Sequence, residues 1–67
     1  MPSSVIRNYQ YEADHRLLLI DFQTGRRYVY IDVPEAEVAA MRAALSKGRY
    51  FNAHIRDRYP FRELAPS

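Results

Sequence analysis

The stretch Leu17-Leu18-Leu19-Ile20-Asp21-Phe22-Gln23-Thr24-Gly25-Arg26-Arg27-Tyr28-Val29-Tyr30-Ile31-Asp32 reads as two β-strands joined by a tight turn. Aliphatic and aromatic runs flank a polar break, Gln23-Thr24-Gly25, which is the pattern of a hairpin. Gly25 suits the left-handed position that closes a three-residue loop with a bulge. That register pairs Phe22 with Arg26, and therefore Ile20 with Tyr28 and Leu18 with Tyr30 on one face. The opposite face then sets Asp21 against Arg27, Leu19 against Val29 and Leu17 against Ile31. An opposite-charge pair and two aliphatic pairs are favourable cross-strand partners, each worth about 0.2–1 kcal/mol.

Outward from this hairpin, Ile6 to Tyr11 alternates, with Tyr9 and Tyr11 on one side and Asn8 and Gln10 on the other, the period of a strand. Glu12-Ala13-Asp14-His15 is the polar turn between them. On the carboxyl side, Pro34 suits a first helical position, where its missing N–H costs nothing. Glu35 and Glu37 follow where negative charge favours the helix dipole. Val38, Met41 and Leu45 form a narrow apolar stripe, and the intervening alanines favour helix. Ser46 can end this helix and N-cap another, although Gly48 is equally readable as the terminator of the first. Phe51 and Ile55 would be the buried face of the second helix, which must end before Pro60. Phe61 and Leu64 lay the tail back on the body.

The expected fold is α+β: a three-stranded antiparallel meander (about 5–11, 16–22 and 26–32) packed against two C-terminal helices (about 34–45 and 47–57). One domain spans 1–67, with an ordered body from about 4 to 64 and a frayed Ala65-Pro66-Ser67.

The chain has 67 residues and no Cys, which removes disulfides, thiolate metal sites and thiol nucleophiles together. A domain this short buries only about 60% of the surface its unfolded chain exposes, so the six Tyr and three Phe are expected to supply much of its packing. No apolar run reaches the roughly 18 residues of a membrane span. Met1-Pro2-Ser3-Ser4 lacks the features of a signal peptide. Cytoplasmic residence, without membrane contact, is the expectation.

No active site is legible. His15, in a turn, and His54, on the second helix, read as solvated residues. Zinc needs four ligands, or three and water, whereas His54 and Asp57 offer two. Ser46 and His54 are too far apart on a helix, about 12 Å, for one to activate the other. Neither GxGxxG nor a Walker-type loop occurs. The expectation is no catalytic residue, no metal, no cofactor and no small-molecule substrate.

Charge points elsewhere. Residues 1–45 carry five Arg against six acids, whereas residues 46–67 carry Lys47 and four Arg against Asp57 and Glu63. On a helix, Arg49, Asn52 and Arg56 share a side away from Phe51 and Ile55, and Lys47 lies at the amino end. Cationic forks, an amide and a helix start are the parts that hold phosphate. Tyr50 and Tyr59, where exposed, stack on unpaired bases. The competing reading has these arginines pairing with local acids or covering apolar surface, and the tyrosines as core. The candidate nucleic-acid-binding set is Lys47, Arg49, Tyr50, Asn52, Arg56 and Arg58.

The chain resembles the KTSC domain family, which is named for its place at the C-terminus of some lysyl-tRNA synthetases and also occurs as a stand-alone bacterial protein. The resemblance rests on Ser3-Ser4, the Leu18/Ile20/Phe22 alternation, Thr24-Gly25, the central Tyr28-Val29-Tyr30 and Val33-Pro34. It continues through Ser46-Lys47-Gly48-Arg49-Tyr50-Phe51-Asn52 with Ile55-Arg56 and Tyr59-Pro60. It implies a non-enzymatic module with RNA, tRNA or single-stranded, as partner, and it brings no catalytic residues. Tyr28 and Tyr30, sharing a face with Ile20 and Leu18, read as core.

The opposite face departs from the mainly polar surface that the resemblance leads one to expect. Leu17, Leu19, Val29 and Ile31 would form an exposed apolar patch, and such patches mark association sites. The rival reading is therefore a protein-interaction module or homodimer using these four residues.

Overall fold

Gly25 adopts φ +94°, its N–H donates to the Phe22 carbonyl at 2.9 Å, and the Phe22 N–H donates to the Arg26 carbonyl at 2.9 Å. This closes the hairpin in the expected register: Leu17 faces Ile31, Leu18 faces Tyr30, Leu19 faces Val29, Ile20 faces Tyr28 and Asp21 faces Arg27. The Arg27 Nε donates to Asp21 Oδ1 at 2.8 Å. The structure is a computed structural model that describes residues 6–64. The expectations on Ser3-Ser4, on a signal peptide at residues 1–4 and on fraying of Ala65-Pro66-Ser67 fall outside the described residues.

The order of elements is β1 (Ile6–Glu12), β2 (Leu17–Phe22), β3 (Arg27–Ile31), α1 (Glu35–Ala43), α2 (Lys47–His54) and β4 (Phe61–Leu64). The architecture is α+β, as expected, but the antiparallel sheet has four strands in the order β1-β2-β3-β4 rather than three. The fourth strand pairs Tyr30 with Phe61, Val29 with Arg62, Tyr28 with Glu63 and Arg27 with Leu64. Its local sequence does not alternate. It becomes a strand because β3 would otherwise leave an edge of unpaired backbone groups. Pro60 delivers it, its carbonyl accepting from the Ile31 N–H at 2.8 Å.

Two left-handed residues steer the chain between layers. Arg16 (φ 55°) closes the β1–β2 turn and Asp32 (φ 63°) turns the chain off β3 toward the helices. They are held together, the Arg16 Nε lying 3.3 Å from Asp32 Oδ1 and the Val33 N–H donating to the Arg16 carbonyl at 3.0 Å. Pro34 is the N-cap rather than the first helical residue, and its carbonyl accepts from the Glu37 and Val38 N–H groups.

Both helices end earlier than their apolar spacing predicts. Ala44 turns extended (ψ 149°), so α1 stops at Ala43 and Leu45 is fully exposed instead of extending the stripe. The cause is Ser46, whose side chain caps α2 only from extended backbone; its Oγ accepts from the Arg49 N–H at 3.3 Å. Gly48 therefore lies inside α2. This helix closes at His54, where the Ile55 and Arg56 N–H groups both donate to the Phe51 carbonyl at 2.9 Å.

One core forms between the sheet and the helices. Leu18, Ile20 and Tyr30 meet Val33, Val38, Met41, Phe51 and Ile55, all buried. Phe51 packs edge-on against Phe22 (5.6 Å) and Tyr30 (5.1 Å), the favoured aromatic geometry. Burial also pushes the Tyr30 hydroxyl pKa up to about 12, because the phenolate loses its hydration.

A candidate nucleic-acid interface

Ser46 starts α2 and Phe51 anchors its inner side, so the remaining positions of the helix are set by geometry. Lys47 and Arg49 are exposed, and Asn52 is half-buried. Arg56 and Arg58 lie past the helix end, also exposed. Arg56 is nevertheless brought back to Asn52, its Nη1 donating to Oδ1 at 3.3 Å. Arg49 and Asn52 occupy one flank of α2, to which Arg56 is tied. Lys47, Tyr50 and His54, spaced three and four apart, occupy the other. Five of the six candidates thus divide between two flanks of one segment, and Arg58 follows beyond the helix end.

Tyr50 is less free than the sequence implies. Its hydroxyl donates to Glu37 Oε2 at 2.5 Å, and its ring lies 4.4 Å from the His54 ring at 30°. Tyr59 donates to the other Glu37 oxygen at 3.0 Å. These contacts hold both phenols protonated. The Tyr50 pKa is raised chiefly by its hydrogen bond to Glu37, and that of Tyr59 chiefly by burial, then by the same carboxylate. Both tyrosines are half-buried. Lys47, near the helix start, does not find every N–H open, since Ser46 takes that of Arg49.

Among the described residues, no carboxylate lies within 4.0 Å of the cations at Lys47, Arg49, Arg56 and Arg58. Among the described residues, arginine lies within 4.0 Å of a carboxylate in the pairs Arg16–Asp32, Arg26–Glu63 and Arg27–Asp21. All three are anchored on the sheet and its turns. Lys47, Arg49, Arg56 and Arg58 take part in none of them.

A second feature escaped the sequence reading. A cleft of about 520 Å³ opens between the β2–β3 hairpin, β4 and the end of α2. Tyr30 and Phe51 form its deep end, and Phe22, Tyr28 and Phe61 line it nearer the surface. Arg26, Arg56, Thr24 and Asp57 supply its polar groups. The Y-x-Y alternation and Phe22 supply three of its five aromatic rings; the outermost ring, Phe61, lies on β4, which the sequence does not mark as a strand.

Leu17, Leu19, Val29 and Ile31 lie together on the sheet face away from the helices, each half-buried rather than exposed. Among the described residues no three His, Asp or Glu come close enough to hold a metal, and no helix is long and apolar enough to cross a membrane.

A four-stranded antiparallel sheet with two helices on one face defines a small α+β module. The chain belongs to the KTSC domain family, whose pattern it matches over residues 2–59. It is 36% identical over 62 residues to a lysine–tRNA ligase of Nostoc punctiforme, a match covering 92% of this chain and 11% of the ligase. It is also 36% identical over 52 residues to an uncharacterized protein of Stutzerimonas stutzeri, covering 78% of this chain and 73% of that protein. The crystal structure of a KTSC domain protein from Yersinia pestis superposes with a TM-score of 0.87 at 33% identity, covering 97% of this chain and 94% of that one. The chain therefore spans about a tenth of the ligase it matches and nearly all of the solved KTSC protein. The family is a small module rather than a catalytic one, although some of its relatives sit within an enzyme.

Proposed function

We propose that this module binds RNA, using the cations that follow Ser46 to hold phosphate. The observation that carries the reading is the unequal pairing of charge. Three arginines of the sheet and its turns, Arg16, Arg26 and Arg27, are matched by carboxylates, whereas Lys47, Arg49, Arg56 and Arg58 lie exposed with no such partner among the described residues, as do Arg7 and Arg62 on the outer strands. Unpaired exposed guanidinium groups favour anions that present several oxygens. Kinship with part of a lysine–tRNA ligase makes tRNA the first RNA to try. Asn52 contributes a side-chain amide beside Arg56, and the Tyr50 edge contributes apolar contact.

Binding of tRNA and of single-stranded RNA is to be measured for the wild type and for Arg49→Ala/Arg56→Ala at low salt. Loss of about tenfold or more is expected in the variant, since each charge-assisted contact is worth roughly 1.5–3 kcal/mol when fully made. Equal affinity, or no binding by the wild type, ends the proposal.

A second reading rests on the apolar block of Leu17, Leu19, Val29 and Ile31, which faces away from the helices. Its occupant would be a second copy of the chain. Sedimentation across a range of concentrations tests it, with Leu19→Glu as control; a monomer throughout removes it.

A further inference from the structure

We infer that the cleft beside β4 seats one unstacked nucleotide of a single-stranded RNA. The inference rests on the RNA reading above and names where on the molecule a base is received.

Phe61 is the key residue. It sits on the edge strand and remains 52% exposed, yet its ring is fixed by two neighbours. Tyr28 lies 5.5 Å away at 46°, and Tyr30 lies 5.4 Å away at 31°. Tyr30 is in turn wedged edge-on against buried Phe51. An aromatic ring braced on one side and open on the other is prepared to stack on a base, because little side-chain freedom remains to be lost.

The polar lining complements the rest of a nucleotide. Arg26 and Arg56 border the same cleft. Their held contacts are few: Arg26 reaches the Tyr28 hydroxyl at 3.4 Å and Glu63 at 3.6 Å, and Arg56 reaches Asn52 at 3.3 Å. A guanidinium has five N–H donors, so Arg56, oriented by Asn52 and with no carboxylate within 4.0 Å among the described residues, has donors to spare for a phosphate, while Arg26 already shares its own with Glu63. Asp57, on the same lining, repels phosphate and accepts from an amino group on a base edge. These opposed charges orient the guest, with backbone toward the arginines and base edge toward the carboxylate. The volume of about 520 Å³ lies within the roughly 300–1,000 Å³ of small-ligand sites.

The test uses the full chain and a mixed-sequence single-stranded RNA octamer. Amide shifts are mapped by NMR on the wild type, and affinities are measured for Phe61→Ala, Phe61→Leu, Phe61→Tyr and, separately, Arg49→Ala/Arg58→Ala. The expected result is shifts centred on Thr24, Arg56 and Phe61, with affinity reduced about 5- to 100-fold in Phe61→Ala and Phe61→Leu and kept in Phe61→Tyr. Thermal melting checks that each variant is folded, and the wild-type map stands without any variant. If RNA binds, Arg49→Ala/Arg58→Ala weakens it and the Phe61 variants do not, the cleft is overturned while the RNA reading survives. Should the wild type bind no RNA, both fall together.

Discussion

Glu37 Oε2 accepts a hydrogen bond from the Tyr50 hydroxyl, the two oxygens lying 2.5 Å apart. The other oxygen of the same carboxylate accepts from Tyr59, so one side chain of α1 fastens both α2 and the segment that leads into β4. Neither helix is long enough to be stable alone, which makes such cross-links important. Glu37→Ala strands two part-buried phenols and should cost about 1.5–3 kcal/mol. For a domain of this size, Tm falls by roughly 4–8 °C per kcal/mol. Tyr50→Phe should cost less, because Glu37 keeps Tyr59. Urea unfolding of the two variants compares them directly, and an unchanged midpoint in Glu37→Ala would remove the clamp from the account.

Alkaline pH attacks the same region and the core beneath it. The Tyr30 pKa is raised from 10.0 to about 12, first by burial; those of Tyr50 and Tyr59 are raised as well. A raised folded-state pKa means that the folded chain holds the proton more tightly than the unfolded one. The associated stability is complete below pH 10 and is lost as pH climbs through the folded-state value near 12. For Tyr30 alone the loss is roughly 2–3 kcal/mol at about 1.4 kcal/mol per unit. Urea midpoints measured above pH 10 should fall steadily, and Tyr30→Phe should flatten that fall. A Tyr30→Phe profile as steep as the wild type would contradict the assignment.

Gly25 tests the hairpin by a different route. A Cβ at this position would meet nothing within 4 Å, but the backbone sits at φ +94°. Steric fit is therefore no obstacle to substitution, and the whole cost is conformational. Gly25→Val should destabilise by about 1–2 kcal/mol, with Gly25→Asn milder, because Asn tolerates left-handed backbone. Equal stability of Gly25→Val and wild type in denaturant would mean that the loop relaxes into another turn.

The hairpin register was legible because several signals agreed: glycine at the loop, matched charges at Asp21 and Arg27, and aliphatic pairs above them. Helix ends were less so. Leu45 continues a helical stripe by spacing alone, yet Ser46 takes extended backbone to cap α2, and that local demand wins. The strand from Phe61 to Leu64 carries no periodicity of its own, since its conformation is dictated by the open edge of β3. That omission also hid the outer wall of the aromatic cleft, Phe61, and with it the cleft itself. Tyr28 and Tyr30 share the core face with Ile20 and Leu18, as the alternation predicts, with Tyr28 the less buried of the two. The basic segment was visible as charge, but the hold of Glu37 on Tyr50 spans 13 residues and leaves no mark in local sequence.

Salt dependence separates the free cations from the paired ones. Arg27 has its guanidinium 2.8 Å from Asp21, both side chains about one-third exposed, so a phosphate would have to compete with a carboxylate already in place. Arg49 and Arg58 have no such competitor among the described residues. If three or four cations after Ser46 meet phosphates, the slope of log affinity against log salt for single-stranded RNA should be about −2 to −3, at roughly 0.7 per phosphate. Arg49→Ala and Arg58→Ala should each make that slope shallower by about 0.7, while Arg27→Ala leaves it unchanged. Titrations at four salt concentrations give the slopes. A wild-type slope near zero, or an Arg27→Ala effect equal to that of Arg49→Ala, would mean that ion pairing in the folded chain does not decide which arginines are available to RNA.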